Sequence, residues 1–212
     1  NLETMVCSSA VSIIKAGAFK GCSSLKEADF SECTISTIGY ESFAGCTSLT
    51  SVKLQETLSD IGVRAFEGTA VKTLELGKNV NSIGKDLFLN NKVFEGFTVI
   101  DKNKEYSSVD GVLYNKKGTE IIIFPAAKTG AFEVPQNVEV IGAKAFKNSN
   151  ASELIFAEDA ALRYIGDSAF EGAAIEAVTI PAGVTRLGNA VFKNAAKLAK
   201  VTFSEGLTYI GA

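Results

Sequence analysis

The stretch IGVRAFEGTAVKTLEL, residues 61–76, decides the fold, because the rest of the chain repeats it. An Ile or Leu stands five residues before a Phe in seven places: Ile14 and Phe19, Ile38 and Phe43, Ile61 and Phe66, Ile83 and Phe88, Ile141 and Phe146, Ile165 and Phe170, Leu187 and Phe192. Gly follows the first residue of the pair everywhere except the first unit, where Lys15 takes its place, and an eighth unit begins at Ile210 and Gly211. Successive Phe residues lie 24, 23 and 22 apart, then 58 across an interruption, then 24 and 22. A fixed period of this length marks a repeat architecture and outranks any local secondary-structure signal.

Between each Phe and the next Ile runs a short segment with apolar residues at its first, fourth and sixth places, as in Leu49, Val52 and Leu54, or Ile175, Val178 and Ile180. Side chains of a strand alternate at period two, so places four and six point inward and place five points out. One unit cannot bury its own apolar stripe, whereas a stack of units shares one continuous interior and sets each strand beside the next in a parallel sheet. The Phe residues then form a ladder of rings inside the stack. The Gly after each Ile suits a tight bend where a Cβ is unwelcome.

Composition narrows the class. The chain has 212 residues, 46% hydrophobic and 21% charged, with a net charge of −3 and a pI near 5.2. It offers no basic footprint for nucleic acid. No apolar run is long enough for a membrane helix, and the first residues, NLETMVCSS, lack the charged and apolar regions of a signal peptide. The first residues already follow the strand pattern and the last stop in mid-unit, so the sequence reads as a fragment of a longer protein, its capping units outside it. Cys22 and Cys46 stand three residues after their Phe, where later units place Thr69, Asn91, Ser149, Ala173 and Ala195. That small-residue position, with Cys7 and Cys33, predicts free buried thiols rather than disulfides.

Regular units cover residues 1–92 and resume over 131–212; residues 93–130 form an irregular unit. Within it, residues 111–115 and 119–124 are two β-rich runs around Lys116, Lys117 and Gly118, which predicts a hairpin. The phrase of residues 103–119, NKEYSSVDGVLYNKKGT, leads to Phe124 and Pro125 and then to the return of I-G-x-x-A-F. Together with Gly21-Cys22, Gly45-Cys46 and Ile180-Pro181, it resembles the BspA-like leucine-rich repeats of bacterial and protist surface proteins. The departures are Leu187 for Ile, Leu87 and Val191 for Ala before Phe, and a weak strand near residues 151–156. The resemblance covers essentially the whole chain. It implies a single α/β, β-rich, right-handed leucine-rich-repeat solenoid of nine or ten rungs, with a parallel concave sheet, short helical turns on the convex side and one hairpin insertion. It also implies an extracellular or cell-surface location and an adhesive or protein-binding role, and it brings no catalytic residues, cofactor or metal.

The chemistry agrees. There is no His, so the usual triads and the commonest metal ligand are missing, and the Cys spacings fit no zinc pattern. Residues 101–105, DKNKE, alternate oxygen ligands as a calcium loop does but lack its Gly and its final acid. The triplet at Asn150 is a glycosylation acceptor in a suitable host. Glu158 and Asp159 read as solvated surface charge. Two columns are candidate binding surfaces. One is place five of the strands: Val6, Asp29, Lys53, Glu75, Thr98, Glu133, Thr179 and Thr202, with Ile155 and Ile123 as further members. Solenoids commonly bind along such a face, and its mixed charges favour a protein partner, such as a host or matrix protein, over a polyanion. The other is the residue before each signature Ile or Leu: Ile13, Thr37, Asp60, Ser82, Val140, Tyr164, Arg186 and Tyr209. Its last three suggest an Arg stacked between two Tyr rings, the residue types that binding hot spots favour. A spacer that binds nothing, or a carbohydrate-binding surface, are the alternative readings.

Overall fold

The computed structural model describes residues 1–212, and the chain divides into two compact units, Asn1–Ser107 and Ser108–Ala212. In the first unit the strands are β1 (Thr4–Val6), β2 (Ile13–Ile14), β3 (Glu27–Asp29), β4 (Thr37–Ile38), β5 (Ser51–Lys53), β6 (Asp60–Ile61), β7 (Thr73–Leu76), β8 (Ser82–Ile83) and β9 (Gly96–Val99). The chain enters the second unit within β10 (Tyr106–Val109). There follow β11 (Val112–Asn115), β12 (Glu120–Ile123), β13 (Thr129–Glu133), β14 (Val140–Ile141), β15 (Asn150–Ile155), β16 (Tyr164–Ile165), β17 (Ala177–Ile180), β18 (Arg186–Leu187), β19 (Lys200–Phe203) and β20 (Tyr209–Ile210).

Each repeat contributes two strands. The longer one carries places three to six, and like strands of neighbouring repeats pair in parallel as β1-β3-β5, β7-β9 and β13-β15-β17-β19. The segment around residues 151–156, weak by pattern, lies in the longest strand of all, β15. In the regular repeats the shorter strand has two residues and ends on the signature Ile or Leu; β12, with four, takes the same place in the irregular one. These pair in parallel as β2-β4-β6-β8 in the first unit and β12-β14-β16-β18-β20 in the second, which gives nine rungs in the two units together. A two-residue strand leaves no alternation in a sequence, which is why periodicity points only to the longer row.

The short helical turns expected on the convex side are absent, and every regular element is a strand. Two residues in every regular repeat occupy the left-handed region, one three residues after the Ile or Leu and one two residues after the Phe. Glu41 and Gly45 (φ 49° and 75°), Lys144 and Asn148 (63° and 56°), and Ala190 and Asn194 (52° and 57°) are such pairs. A left-handed residue cannot propagate a right-handed helix. The segment instead alternates its N–H groups between tight turns and the neighbouring repeat. Phe43 donates to Ala65 O (2.9 Å) and Gly45 to Glu67 O (2.8 Å), while Ala44 and Cys46 close turns onto Glu41 O and Phe43 O. Gly and Asn fill the second left-handed site throughout, but the first is often occupied by residues that pay for the conformation. Ala190→Gly is therefore expected to raise the stability of the second unit by about 1 kcal/mol, measured as a higher urea midpoint at an unchanged slope. An unchanged or lower midpoint sinks the assignment.

Inside the first unit the rings of Phe19, Phe43, Phe66 and Phe88 stack at centroid separations of 5.1, 5.6 and 5.6 Å. In the second the ladder runs Phe124, Phe146, Phe170 and Phe192 at 4.6, 5.2 and 5.7 Å. Phe124 is the rung missing from the repeat pattern. Its N–H donates to Ala145 O as Phe146 N–H donates to Ala169 O, yet it follows Ile121 by three residues, not five. The signal that locates it is its spacing of 22 from Phe146, within the period of the array.

The predicted hairpin is present as the antiparallel pair β11 and β12, with an irregularity at Leu113 and Tyr114. Asn115 Oδ1 accepts the N–H groups of Thr119 (2.9 Å) and Glu120 (3.3 Å) to close it. The second strand then serves as a rung of the short row, with Ile121 beside Ile141. All four Cys are free thiols; Cys7, Cys33 and Cys46 are buried and Cys22 is half-buried. The small position after each Phe is interior, as Thr69, Asn91, Ser149 and Ala173 are buried.

Candidate functional site

Place five of the longer strands is the outward side of the parallel sheets. In the first unit Val6, Asp29 and Lys53 stand in register, and Glu75 is beside Thr98, but β5 and β7 belong to separate sheets, so Lys53 and Glu75 are not ladder neighbours. Asp29 and Lys53 of this row are matched within the molecule. Lys53 Nζ lies 2.8 Å from Glu27 Oε1 and 2.9 Å from Asp29 Oδ2. Bonds from the Ser31 hydroxyl and N–H, followed by Lys53, hold the Asp29 carboxyl down at about 2, and Glu27 and Asp29 hold the Lys53 ammonium above its usual range. Lys26 pairs with Glu3 (2.8 Å), Lys78 with Glu56 (2.5 Å) and Lys72 with Glu95 (3.4 Å). Exposed pairs of this kind add little stability, but they leave few charges seeking an external partner.

The second unit differs. Glu133 is in register with Ile155, and Thr179 with Thr202. Ile123, a further member expected in this row, belongs to β12 and hence to the short row, because the hairpin hands that strand to β14. Ile155 is 43% exposed at a place that the other repeats, apart from the first with Val6, give to polar residues. Beside it an open groove of about 430 Å³ crosses β15 and β17, with Ile155, Phe156, Ala177, Thr179, Pro181 and Ala182 among its lining and Glu153 and Glu158 at its margin. The volume falls in the range of ligand clefts, about 300–1,000 Å³. Small side chains at 177, 179 and 182 beside the larger Ile155 and Phe156 create the hollow. Sequence reasoning found Ile155 and Thr179 but missed the groove; the available signal was an apolar residue at place five next to two alanines.

The row before the signature residue is the short sheet. Ile13, Thr37, Asp60 and Ser82 are in register in the first unit, as are Glu120, Val140, Tyr164, Arg186 and Tyr209 in the second. Arg186 Cζ lies 4.9 Å from the Tyr209 ring centroid, a cation–π distance. Tyr164 is the ladder neighbour of Arg186 on the other side and is half-buried. Burial raises the pKa of Glu120, at the start of the same row.

The calcium-like segment has a structural task. Asn103 is buried, its Nδ2 donates to Gly77 O (2.7 Å) and Val80 O (2.9 Å), and its Oδ1 accepts from Glu105 N and Tyr106 N. Its oxygen is therefore committed to backbone rather than free for a cation. Asn150, in the glycosylation triplet, is exposed and donates to Ala126 O at 2.7 Å. Burial pushes the Cys46 thiol up to about 11, and burial with the neighbouring Cys7 does the same for Cys33. Both are held as thiols at neutral pH, the unreactive form.

Stacked repeats of one longer and one shorter strand around a Phe ladder, with an outward strand face, define a leucine-rich-repeat β-solenoid. The chain belongs to the BspA-type leucine-rich repeat family, whose profile matches residues 1–108 and 122–212 in six copies. No curated protein matches the sequence. Among solved structures, a leucine-rich repeat protein of Eubacterium ventriosum is 26% identical with a TM-score of 0.78, over 94% of this chain and 59% of the other. The pneumococcal vaccine antigen PcpA is 21% identical with a TM-score of 0.73, over 99% and 65%. A leucine rich cell surface protein of Faecalibacterium prausnitzii is 21% identical with a TM-score of 0.59, over 96% and 73%. The chain thus spans about three fifths of the length of the first of these and under two thirds of the second.

Proposed function

We propose that this chain is a non-catalytic, protein-binding module of a secreted or cell-surface protein, with an adhesive role towards a host or matrix protein, and that the strand face of residues 108–212 is its binding surface. The observation that carries the reading is the groove beside Ile155 and Thr179, where a hollow lined by both apolar and polar side chains lies open on a face whose counterpart in the first unit carries the ion pairs of Lys53 with Glu27 and Asp29. The surface location draws on the family and on the description of the F. prausnitzii neighbour as a cell surface protein. For residues 1–107 the self-paired charges favour a spacer role.

The test is a screen of the immobilised chain against matrix and plasma proteins, with Thr179→Arg to fill the groove and Lys53→Glu as a control on the first unit. Saturable binding to at least one protein, weakened tenfold or more by Thr179→Arg and unchanged by Lys53→Glu, is the expected result. Binding indifferent to Thr179→Arg, or no binding by folded protein, overturns the proposal.

A further inference from the structure

We infer that the groove on β15 and β17 takes an extended peptide segment carrying an apolar side chain with a lysine or arginine two positions away; this rests on the reading of that face as a protein-binding surface and names the chemistry of its ligand. The apolar requirement comes from the hollow. Ala177, Thr179 and Ala182 leave space that Ile155 and Phe156 wall on one side, and a branched aliphatic side chain set there covers the exposed part of Ile155.

The basic requirement comes from where the charges lie. Glu153 and Ile155 share the outward side of β15, since strand residues two apart face the same way. Glu133 is in register with Ile155 on β13, and Glu158 follows β15 at the groove margin. Neither β13, β15 nor β17 contains a Lys or Arg. The cations lie away from β15: Lys200 on β19 is in register with Ala177, on the opposite side of the groove from β13, and the Arg163 guanidinium lies against Gly183, next to Ala182. Glu133, Glu153 and Glu158 form no ion pair within the molecule, in contrast to Glu3, Glu27, Asp29, Glu56 and Glu95 of the first unit. The β15 side of the groove therefore sets carboxylates beside the apolar side chains of Ile155 and Phe156, complementary to a cation held next to an apolar group.

Spacing fits an extended backbone. Side chains on one side of a strand repeat at about 6.8 Å, and adjacent strands of the sheet lie about 4.8 Å apart. A peptide running along the strands, with its apolar residue between Ile155 and Thr179, sets the side chain two positions on level with Glu153 in one direction and towards Glu158 in the other, within reach for a flexible lysine or arginine stem.

The test uses three labelled peptides of one extended sequence, with a central Leu and Lys, Ala or Glu two positions on, titrated into the whole chain by fluorescence anisotropy. The lysine peptide is expected to bind at least tenfold tighter than the glutamate peptide, with alanine between them, and 0.5 M NaCl should compress the series. The double variant E153K/E158K, both surface changes, should reverse the order. Equal binding of all three peptides, preference for glutamate, or an order indifferent to the double variant overturns the inference. If no peptide binds while a protein found in the screen still depends on Thr179, the inference fails and the broader binding reading stands. If neither peptide nor protein binds, both fall.

Discussion

Phe170→Ala lowers the stability of the second unit by about 3–5 kcal/mol, seen as a large drop in the urea midpoint of the transition that reports on residues 108–212. Phe170 has no exposed surface and sits between Phe146 at 5.2 Å and Phe192 at 5.7 Å, with Ile165 and Ile175 buried in the same cluster. Truncation removes one rung of a ladder whose neighbours are fixed by backbone bonds: Phe170 N–H donates to Val191 O at 2.9 Å, and Phe146 N–H to Ala169 O at 2.8 Å. The rings above and below cannot close the gap without breaking those bonds, so a cavity remains and the cost stays near the top of the range for a buried Phe. Phe192→Ala provides the comparison. That ring stacks on Phe170 but is half-buried, so its loss should cost clearly less. Equal losses at the two sites would mean that the ladder does not control the stability of this unit.

The same ladder shows how far the sequence could be read. Burial leaves a strong mark, so the Phe column, the inward places four and six and the small position after each Phe are all visible as periodic residues. Interactions between backbones leave a weaker one. The short strands ending at Ile38 or Ile165 need only two residues each, and the left-handed sites at Arg64, Lys144 and Ala190 are filled by residues with no preference for that conformation. Nothing at these positions announces that a turn ladder replaces the expected helical turns. Phe124 escapes because its connection from Ile121 is two residues shorter than the signature, although its distance from the next Phe is regular. The candidate surfaces divide in the same way. Register follows from the period, so the row containing Glu133, Thr179 and Thr202 and the row containing Tyr164, Arg186 and Tyr209 are legible. Charge pairing is not, because the commitment of Asp29 and Lys53 to each other depends on rotamers. The groove depends on which side chains are small next to Ile155, a relation between repeats that no single repeat contains.

Gly62→Ala is expected to cost the first unit about 3 kcal/mol or more, although no left-handed angle is demanded at that position. A Cβ at Gly62 would stand 2.6 Å from both Gly39 C and Tyr40 N, and 2.9 Å from Gly39 O. These are backbone atoms of the neighbouring repeat, and they are held close because Gly62 N–H donates to Ile38 O at 2.7 Å. Relief requires separating two rungs and lengthening that bond. The signature glycine is therefore explained by approach between repeats rather than by a bend within one. Lys15, which takes the place of the signature glycine in the first repeat, is exposed, and Lys15→Ala should change stability by no more than about 0.5 kcal/mol. Gly45 separates the two roles that glycine has here. Its φ is +75° and a Cβ there would lie 3.7 Å from Gly21 Cα, an ordinary distance, so Gly45→Ala meets only the left-handed penalty of about 1–2 kcal/mol. Urea midpoints for the three variants should order as Lys15→Ala nearest to the parent, then Gly45→Ala, then Gly62→Ala. A Gly62→Ala protein as stable as the Gly45→Ala protein would show that neighbouring repeats yield readily, and the signature glycine would then have to be explained by its own backbone.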